Sequence, residues 1–294
     1  GSEGLHLSQS ELNEVMVEGA RWVVKKGYGW ERDLNHIEEG GMIEGADPSN
    51  VSKRAKEREA NQIGSLGSGN HYLEVQVVDE VYDEEAAKAY GIKKGQVVIM
   101  VHTGSRAMGH QIGMDYIEEM APAMKKYGIE VRDKELVSVP FNSPEGRKYF
   151  SAMNGAINIA WANREMITYY ARQAFAKVFS SSPESLGMEL VYDVGHNTGK
   201  LELHKVDGKM KQLIVHRKGS TRALGPGRQE LPPEYRGVGQ PVLIGGSMGT
   251  YSYVLKGTTK GMEETFGSAV HGAGRKMSRM QAKKEYRGEE LAKE

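Results

Sequence analysis

The chain contains no cysteine. Disulfide stapling is therefore excluded, and a zinc–thiolate site cannot be built from this chain alone. No apolar run approaches the ~20 residues of a membrane span, so no membrane-crossing helix is expected. Charge of one sign is also lacking: 39 Lys plus Arg balance 39 Asp plus Glu, for a formal net charge of zero. That balance excludes a general basic coat for nucleic acid but leaves room for a local basic groove. The first residues carry neither the basic n-region nor the apolar h-region of a secretory signal, and a cytoplasmic enzyme is the expectation. No G-x-x-x-x-G-K-[ST] occurs anywhere, which removes a Walker A loop from consideration.

What the chain does have is glycine, 37 in 294 residues. With no collagen-like or low-complexity pattern, these serve tight turns and close backbone approach to a ligand. Ser8 and Glu11 form a capping-box pair ahead of Leu12, Val15, Met16, Gly19, Trp22 and Val23, which recur on one helical face. Gly27 and Gly29 end that helix, and Val51 to Arg58 reads as a short basic one. The turn Gly64-Ser65-Leu66-Gly67-Ser68-Gly69 delivers Asn70 and His71 into a strand running to Val78. Gln96 to Val101 has the continuous apolar character of a buried strand and ends at His102. Ser143-Pro144 opens a long helix to about Phe179. Strands are expected at Met188 to Val194, Lys211 to His216, Pro241 to Ile244 and Tyr251 to Leu255, with a hairpin turn at Val206-Asp207-Gly208. A charged helix from about Gly274 closes the chain. Without regular βαβ alternation, the pattern predicts an α+β fold in one domain spanning 1–294.

Three histidines share a setting. His71, His102 and His196 each stand at a strand end beside glycine, where rigid backbone exposes a side chain to a metal. Imidazole binds transition ions, yet each also reads as a hydrogen-bonded structural histidine, and their separations match no short metal motif. Asn70 and Glu74 fall on one face of their strand, suited to a nucleobase edge or a ribose, or to water. Around His271, the run Gly267-Ser268-Ala269-Val270-His271-Gly272-Ala273-Gly274-Arg275 places small residues before a helix start. Such a start suits phosphate, Arg275 and Arg279 lie one turn apart, and a histidine beside phosphate can form a phosphoramidate. A glycine turn with an incidental histidine fits the same residues. Gly245-Gly246-Ser247-Met248-Gly249-Thr250 is a second loop suited to phosphate. His216-Arg217-Lys218-Gly219-Ser220-Thr221-Arg222 offers a phosphate or RNA contact patch, or a solvated face.

Taken together, these segments resemble the RtcB family of RNA-splicing ligases. The segments carrying the resemblance are Gly64 to Glu74, Val101 to Arg106, Asp193 to Asn197, His216 to Gly219, Gln240 to Thr250 and His271 to Arg275, in the family's order over nearly the whole chain. The resemblance implies an RNA ligase that uses GTP and manganese (Mn2+, one or two ions) and passes through a covalent histidine–GMP intermediate. It implies His71, His102 and His196 as metal ligands and His271 as the nucleophile. Asn70, Glu74, His196, Asn197, Gly245, Gly246, Ser247, Met248, Ser252, Gly272, Ala273 and Gly274 would surround the nucleotide, and Arg106, Arg275 and Arg279 would hold RNA phosphates. The substrates implied are tRNA halves or broken RNA ends, with an activating protein partner expected at family level and no membrane.

The family also has an upstream aspartate and cysteine completing the metal site, and a later lysine contacting the guanine. The expectation is thus a fragment truncated at both ends that keeps the histidines but binds manganese poorly. The alternatives are a catalytically incomplete RNA- or nucleotide-binding piece, and a phosphoesterase using the same histidines with water as nucleophile. Glu59 stands where the family usually has glycine and is expected to add a negative charge beside an RNA-facing segment. Gly195 stands where alanine is common, and Leu224-Gly225 replaces a Phe-Pro pair.

Overall fold

The computed structural model describes residues 4–247, 249–272, 277 and 279–285, with backbone alone at 279 and 283. In chain order the elements are α1 (Gln9–Glu18), α2 (Ala20–Lys25), α3 (Lys53–Glu59), β1 (Tyr72–Val77), α4 (Glu84–Tyr90), β2 (Val97–His102), α5 (Arg106–Lys126) and α6 (Pro144–Phe179). There follow β3 (Asn197–Val206), β4 (Lys209–Lys218), β5 (Ser220–Arg222), β6 (Pro241–Ile244), β7 (Tyr253–Lys256), α7 (Thr259–Thr265), β8 (Ser268–Val270) and α8 (Arg279–Glu285). Long helices and small antiparallel sheets make this an α+β fold. The described strands pair as β1–β2, β3–β4, β5–β8 and β6–β7. The chain divides into two compact units: Gly1–Val77 with Val97–Gly195, and Val78–Gln96 with His196–Glu294.

The first unit is built on α6. Its start is as the sequence predicts, because the Ser143 hydroxyl accepts from Gly146 N and Pro144 fills the first turn. The predicted capping box at Ser8 and Glu11 is present. What was expected as one helix after it is two, since Gly19 adopts φ 60°, ψ −138° and breaks the hydrogen-bond ladder. Leu12, Val15, Met16, Trp22 and Val23 still face a common core with Met108, Ile112, Ile159, Ala162 and Met166. The strand expected at Met188 to Val194 does not form. Arg172 donates to the Met188 carbonyl through Nε (3.1 Å) and Nη2 (3.0 Å), and only Asp193 makes an isolated bridge, to Ile37. Nor is β2 buried on both faces. Among the described strands it pairs with β1, Val97 is 56% exposed, and the rest of β2 is only half-buried.

Glu59 overturns the expected surface charge. It is fully buried at the end of α3, where its carboxyl oxygen accepts from the Met108 amide (2.9 Å) in the first turn of α5. Burial pushes its carboxyl up from 4.5 to about 8, against the lowering influence of that amide and of Arg106. A carboxyl raised on folding binds its proton more tightly in the native state. Its contribution to stability is therefore full below 4.5 and is lost as pH rises through about 8. Glu59→Gln keeps an acceptor for Met108 and is expected to flatten the fall in melting temperature between those limits. A thermal melt series across pH reads this, and a slope identical to that of the parent would refute the assignment. Glu165, raised to about 9 by burial and by Asp33, supplies a residual slope in either chain.

The second unit contains the β3–β4 hairpin, whose predicted turn closes at Asp207-Gly208. Alternation along β4 sends Val215 and Arg217 inward and His216 and Lys218 outward. Arg217 is 2% exposed and forks onto Glu202 at 2.5 and 3.0 Å. Arg222 is equally buried and donates through Nε to Gln240 Oε1 (2.9 Å). The cationic patch suggested for 216–222 is thus divided, two of its arginines being core residues. Tyr90, at the end of α4, is buried with its ring 5.0 Å from that of Tyr235 and its hydroxyl donating to the Gly239 carbonyl (2.7 Å).

Candidate active site

In the first unit, His71 precedes β1 and His102 ends β2, which the register Tyr72↔His102 places at the same end of the hairpin. The two imidazoles lie 6.0 Å apart between centroids, at 70° to each other. The glycine-rich turn before His71 wraps around Arg106. That guanidinium donates through Nε to Ser65 Oγ (3.0 Å) and through Nη2 to Gln62 Oε1 (3.0 Å). Arg106 itself opens α5 at φ 50°, a left-handed conformation uncommon for a side chain of this size. Glu74 shares the less exposed face of β1 with Tyr72 and Gln76, and its carboxylate accepts from Gln76 Nε2 (2.7 Å). Asn70 sits in the bend just before the strand.

In the second unit, several predicted residues form one hydrogen-bonded set. The Gly219 amide donates to the His196 carbonyl (2.9 Å) and to Asn197 Oδ1 (3.1 Å). The Gly219 carbonyl accepts from His271 Nδ1 (2.7 Å). A carbonyl can only accept, so Nδ1 carries the hydrogen, and in the neutral ring the lone pair is on Nε2. The His196 and His271 rings are stacked, 4.8 Å between centroids and 8° from parallel. The Gly245 amide donates to the His271 carbonyl (3.1 Å), and Gly245 bridges Gly272 in parallel. Ser252 Oγ accepts from the Gly246 amide (3.0 Å), and Ser247 N donates to Thr250 Oγ1 (2.7 Å). The loop suited to phosphate is therefore held in shape by its own hydroxyls.

Met248, Ala273, Gly274 and Arg275 lie outside the described residues, and Arg279 is described only as the first residue of α8. Two contributors escape the sequence reading. One is the Gly219 carbonyl, which orients His271 but is only backbone within a basic-looking run. The other is the pair Asn163 and Arg164, buried on α6 at 0% and 8% exposure. Their signal is visible in the sequence: an amide and a guanidinium interrupt the apolar series Ile159, Trp161, Ala162, Met166.

A family model described as RtcB, tRNA-splicing ligase RtcB, matches residues 1–294. The tRNA-splicing ligase RtcB of Pyrococcus furiosus is 61% identical over 296 residues, covering 100% of this chain and 30% of that relative. The protein of the same name from Thermococcus kodakarensis is 59% identical over 295 residues, covering 100% of this chain and 61% of that relative. A third, from Archaeoglobus fulgidus, is 57% identical over 289 residues, with shares of 98% and 60%. The chain thus spans between about a third and three-fifths of the length of these relatives.

Proposed function

This chain belongs to the RtcB family of tRNA-splicing ligases, and from that membership we propose that it carries the guanylyl-transfer core of a GTP- and manganese-dependent RNA ligase. The observation supporting this most directly is the bond from His271 Nδ1 to the Gly219 carbonyl. It holds the ring so that the Nε2 lone pair is the reactive one. In the proposed step, Nε2 attacks the α-phosphate of GTP. A P–N bond forms, the bond from the α-phosphorus to the bridging oxygen breaks, and pyrophosphate leaves. The guanylate then passes to an RNA 3′-phosphate, obtained where needed by opening a 2′,3′-cyclic phosphate. An RNA 5′-hydroxyl displaces GMP and seals the strand, the ligation that tRNA splicing and RNA repair need.

His71, His102 and His196 are the proposed metal ligands. An imidazole set fits a transition ion, and manganese, which also favours oxygen, would draw the rest of its coordination from phosphate or water. Bound there, the ion would offset charge on the phosphates during transfer. Asn197, Gly245, Gly246, Ser247, Ser252 and Gly272, with Asn70 and Glu74 and the predicted Met248, Ala273 and Gly274, are the proposed nucleotide contacts. Arg106 spends two of its five N–H donors on Ser65 and Gln62. With Arg275 and Arg279, it is proposed to hold RNA phosphates. The two units are proposed to serve one catalytic domain, acting in the cytoplasm, with an activating protein as partner.

The test is incubation with manganese and GTP labelled at the α-phosphate, beside His271→Ala. Acid-labile label on the parent and none on the variant is expected. Label on neither would overturn guanylylation by this chain and leave RNA or nucleotide binding as its role.

A further inference from the structure

We infer that Asn163 and Arg164 are positioning residues, which from one turn of α6 hold the backbone bearing His71 and His102 and the segment leading into His196. The inference rests on the reading of these histidines as metal ligands. Asn163 is fully buried inside a helix, where an asparagine is a poorer helix former than alanine and must find hydrogen-bond partners. It finds them in the two turns that flank the histidines. Its Oδ1 accepts from the amides of Gly64 (2.7 Å) and Ser65 (3.2 Å). Its Nδ2 donates to the carbonyls of Ser65 (3.3 Å) and Gly104 (3.0 Å). The full capacity of the amide, two donors and two acceptor lone pairs, is thereby committed to backbone at 64–65 and 104.

Arg164 continues the same work. Its Nη1 donates to the carbonyl of Thr103 (3.1 Å), the residue after His102. Its Nε donates to Asp193 Oδ1 (2.6 Å), three residues before His196 in the chain. Glu38 steadies that segment further, accepting from the Gly195 amide (2.8 Å). The two turns are also joined to each other, as Thr103 Oγ1 donates to the Leu66 carbonyl (2.8 Å). A loop has no strand ladder to fix it, so side chains on a rigid helix set its place. Such outer partners typically change metal affinity by about 10- to 100-fold when removed.

Asn158 provides the control. It lies on the same helix, is equally buried, and makes as many backbone bonds, to Met16, Val17 and Ile43. None of those partners carries a candidate site residue. Asn163→Ala and Asn158→Ala should lower the melting temperature alike, whereas Mn2+ binding separates them.

The experiment follows the electron paramagnetic resonance signal of free Mn2+ during titration of the full chain and each variant. Asn163→Ala is expected to weaken binding by about 10- to 100-fold, and Asn158→Ala to leave it unchanged. The milder Arg164→Lys keeps a charge beside Asp193 but loses the fork that also reaches Thr103, and is expected to weaken binding about tenfold. Folded variants at positions 163 and 164 that bind Mn2+ as the parent does would overturn the inference. Should the parent bind no Mn2+, the metal reading fails. The positioning role is then decided by exchange of the Gly64 and Ser65 amides, which must quicken in Asn163→Ala but not in Asn158→Ala. Equal exchange in all three chains would overturn it.

Discussion

Arg217→Met is expected to destabilise the protein by about 3–5 kcal/mol and to loosen the strand that leads to His271. The guanidinium is almost wholly buried, and all of its contacts matter to the second unit. It forks onto Glu202, donates through Nε to Ser268 Oγ (2.9 Å), and donates through Nη2 to the carbonyls of Phe266 (3.0 Å) and Gly267 (3.3 Å). Ser268 begins β8, which pairs with β5 in the register Ser220↔Val270 and ends one residue before His271. Removing the cation leaves a buried carboxylate with Lys200 at 3.7 Å and the His204 imidazole at 2.7 Å. That partial compensation sets the loss near the lower end of the range. Burial raises the Glu202 carboxyl, but Arg217 and Lys200 outweigh it and hold the carboxyl below 4.5. Its contribution to stability is present above 4.5 and lost as pH falls through the lowered value. The variant should therefore be less stable at neutral pH and less sensitive to acid over that window. Arg217→Lys should rescue little, since a point charge cannot span Glu202 and three further acceptors. Melting curves at pH 7 and in acid, with the yield of the guanylylation proposed at His271, measure both effects. A stable variant guanylylated at the parent rate would show that β8 holds its place without Arg217.

Gly67→Ala should have the second large effect, this time in the first unit. Gly67 sits at φ 95°, a conformation that L side chains rarely adopt. The space is closed as well: a Cβ would collide with Arg106 Nη1 and lie 2.7 Å from His71 Nδ1. Backbone strain of this kind costs on the order of 1–3 kcal/mol before any clash is counted. The new methyl must push aside the proposed RNA-contacting guanidinium, the proposed metal-ligating imidazole, or the turn between them. Loss of Mn2+ binding by at least about tenfold is expected, together with a lower melting temperature. Gly91→Ala serves as the comparison, because its φ of 69° is also left-handed while nothing lies within 4 Å of the added Cβ. Parent-like Mn2+ affinity in folded Gly67→Ala would mean that the turn does not place His71.

The sequence alone was enough for the α+β class, the capped starts of α1 and α6, the β6 strand, and the residues on which family membership rests. These are local matters: an N-cap, a proline in a first turn, alternation along a strand and small residues in a loop show themselves within a few positions. Tertiary structure decided the rest. Glu59 reads as a surface charge until the first turn of α5 is packed against it. Arg217 reads as a nucleic-acid contact until its neighbour in the hairpin is seen to be Thr198 and its partner Glu202. The orienting of His271 by a carbonyl 52 residues earlier has no local signature. Asn163 and Arg164 stand out locally as polar residues in an apolar helical series, but their partners in the 64–65 and 103–104 turns do not. Burial and hydrogen-bond partnership belong to pairs of residues distant in the chain. A sequence shows which groups can donate, accept or carry charge, and only the folded chain determines which of them meet.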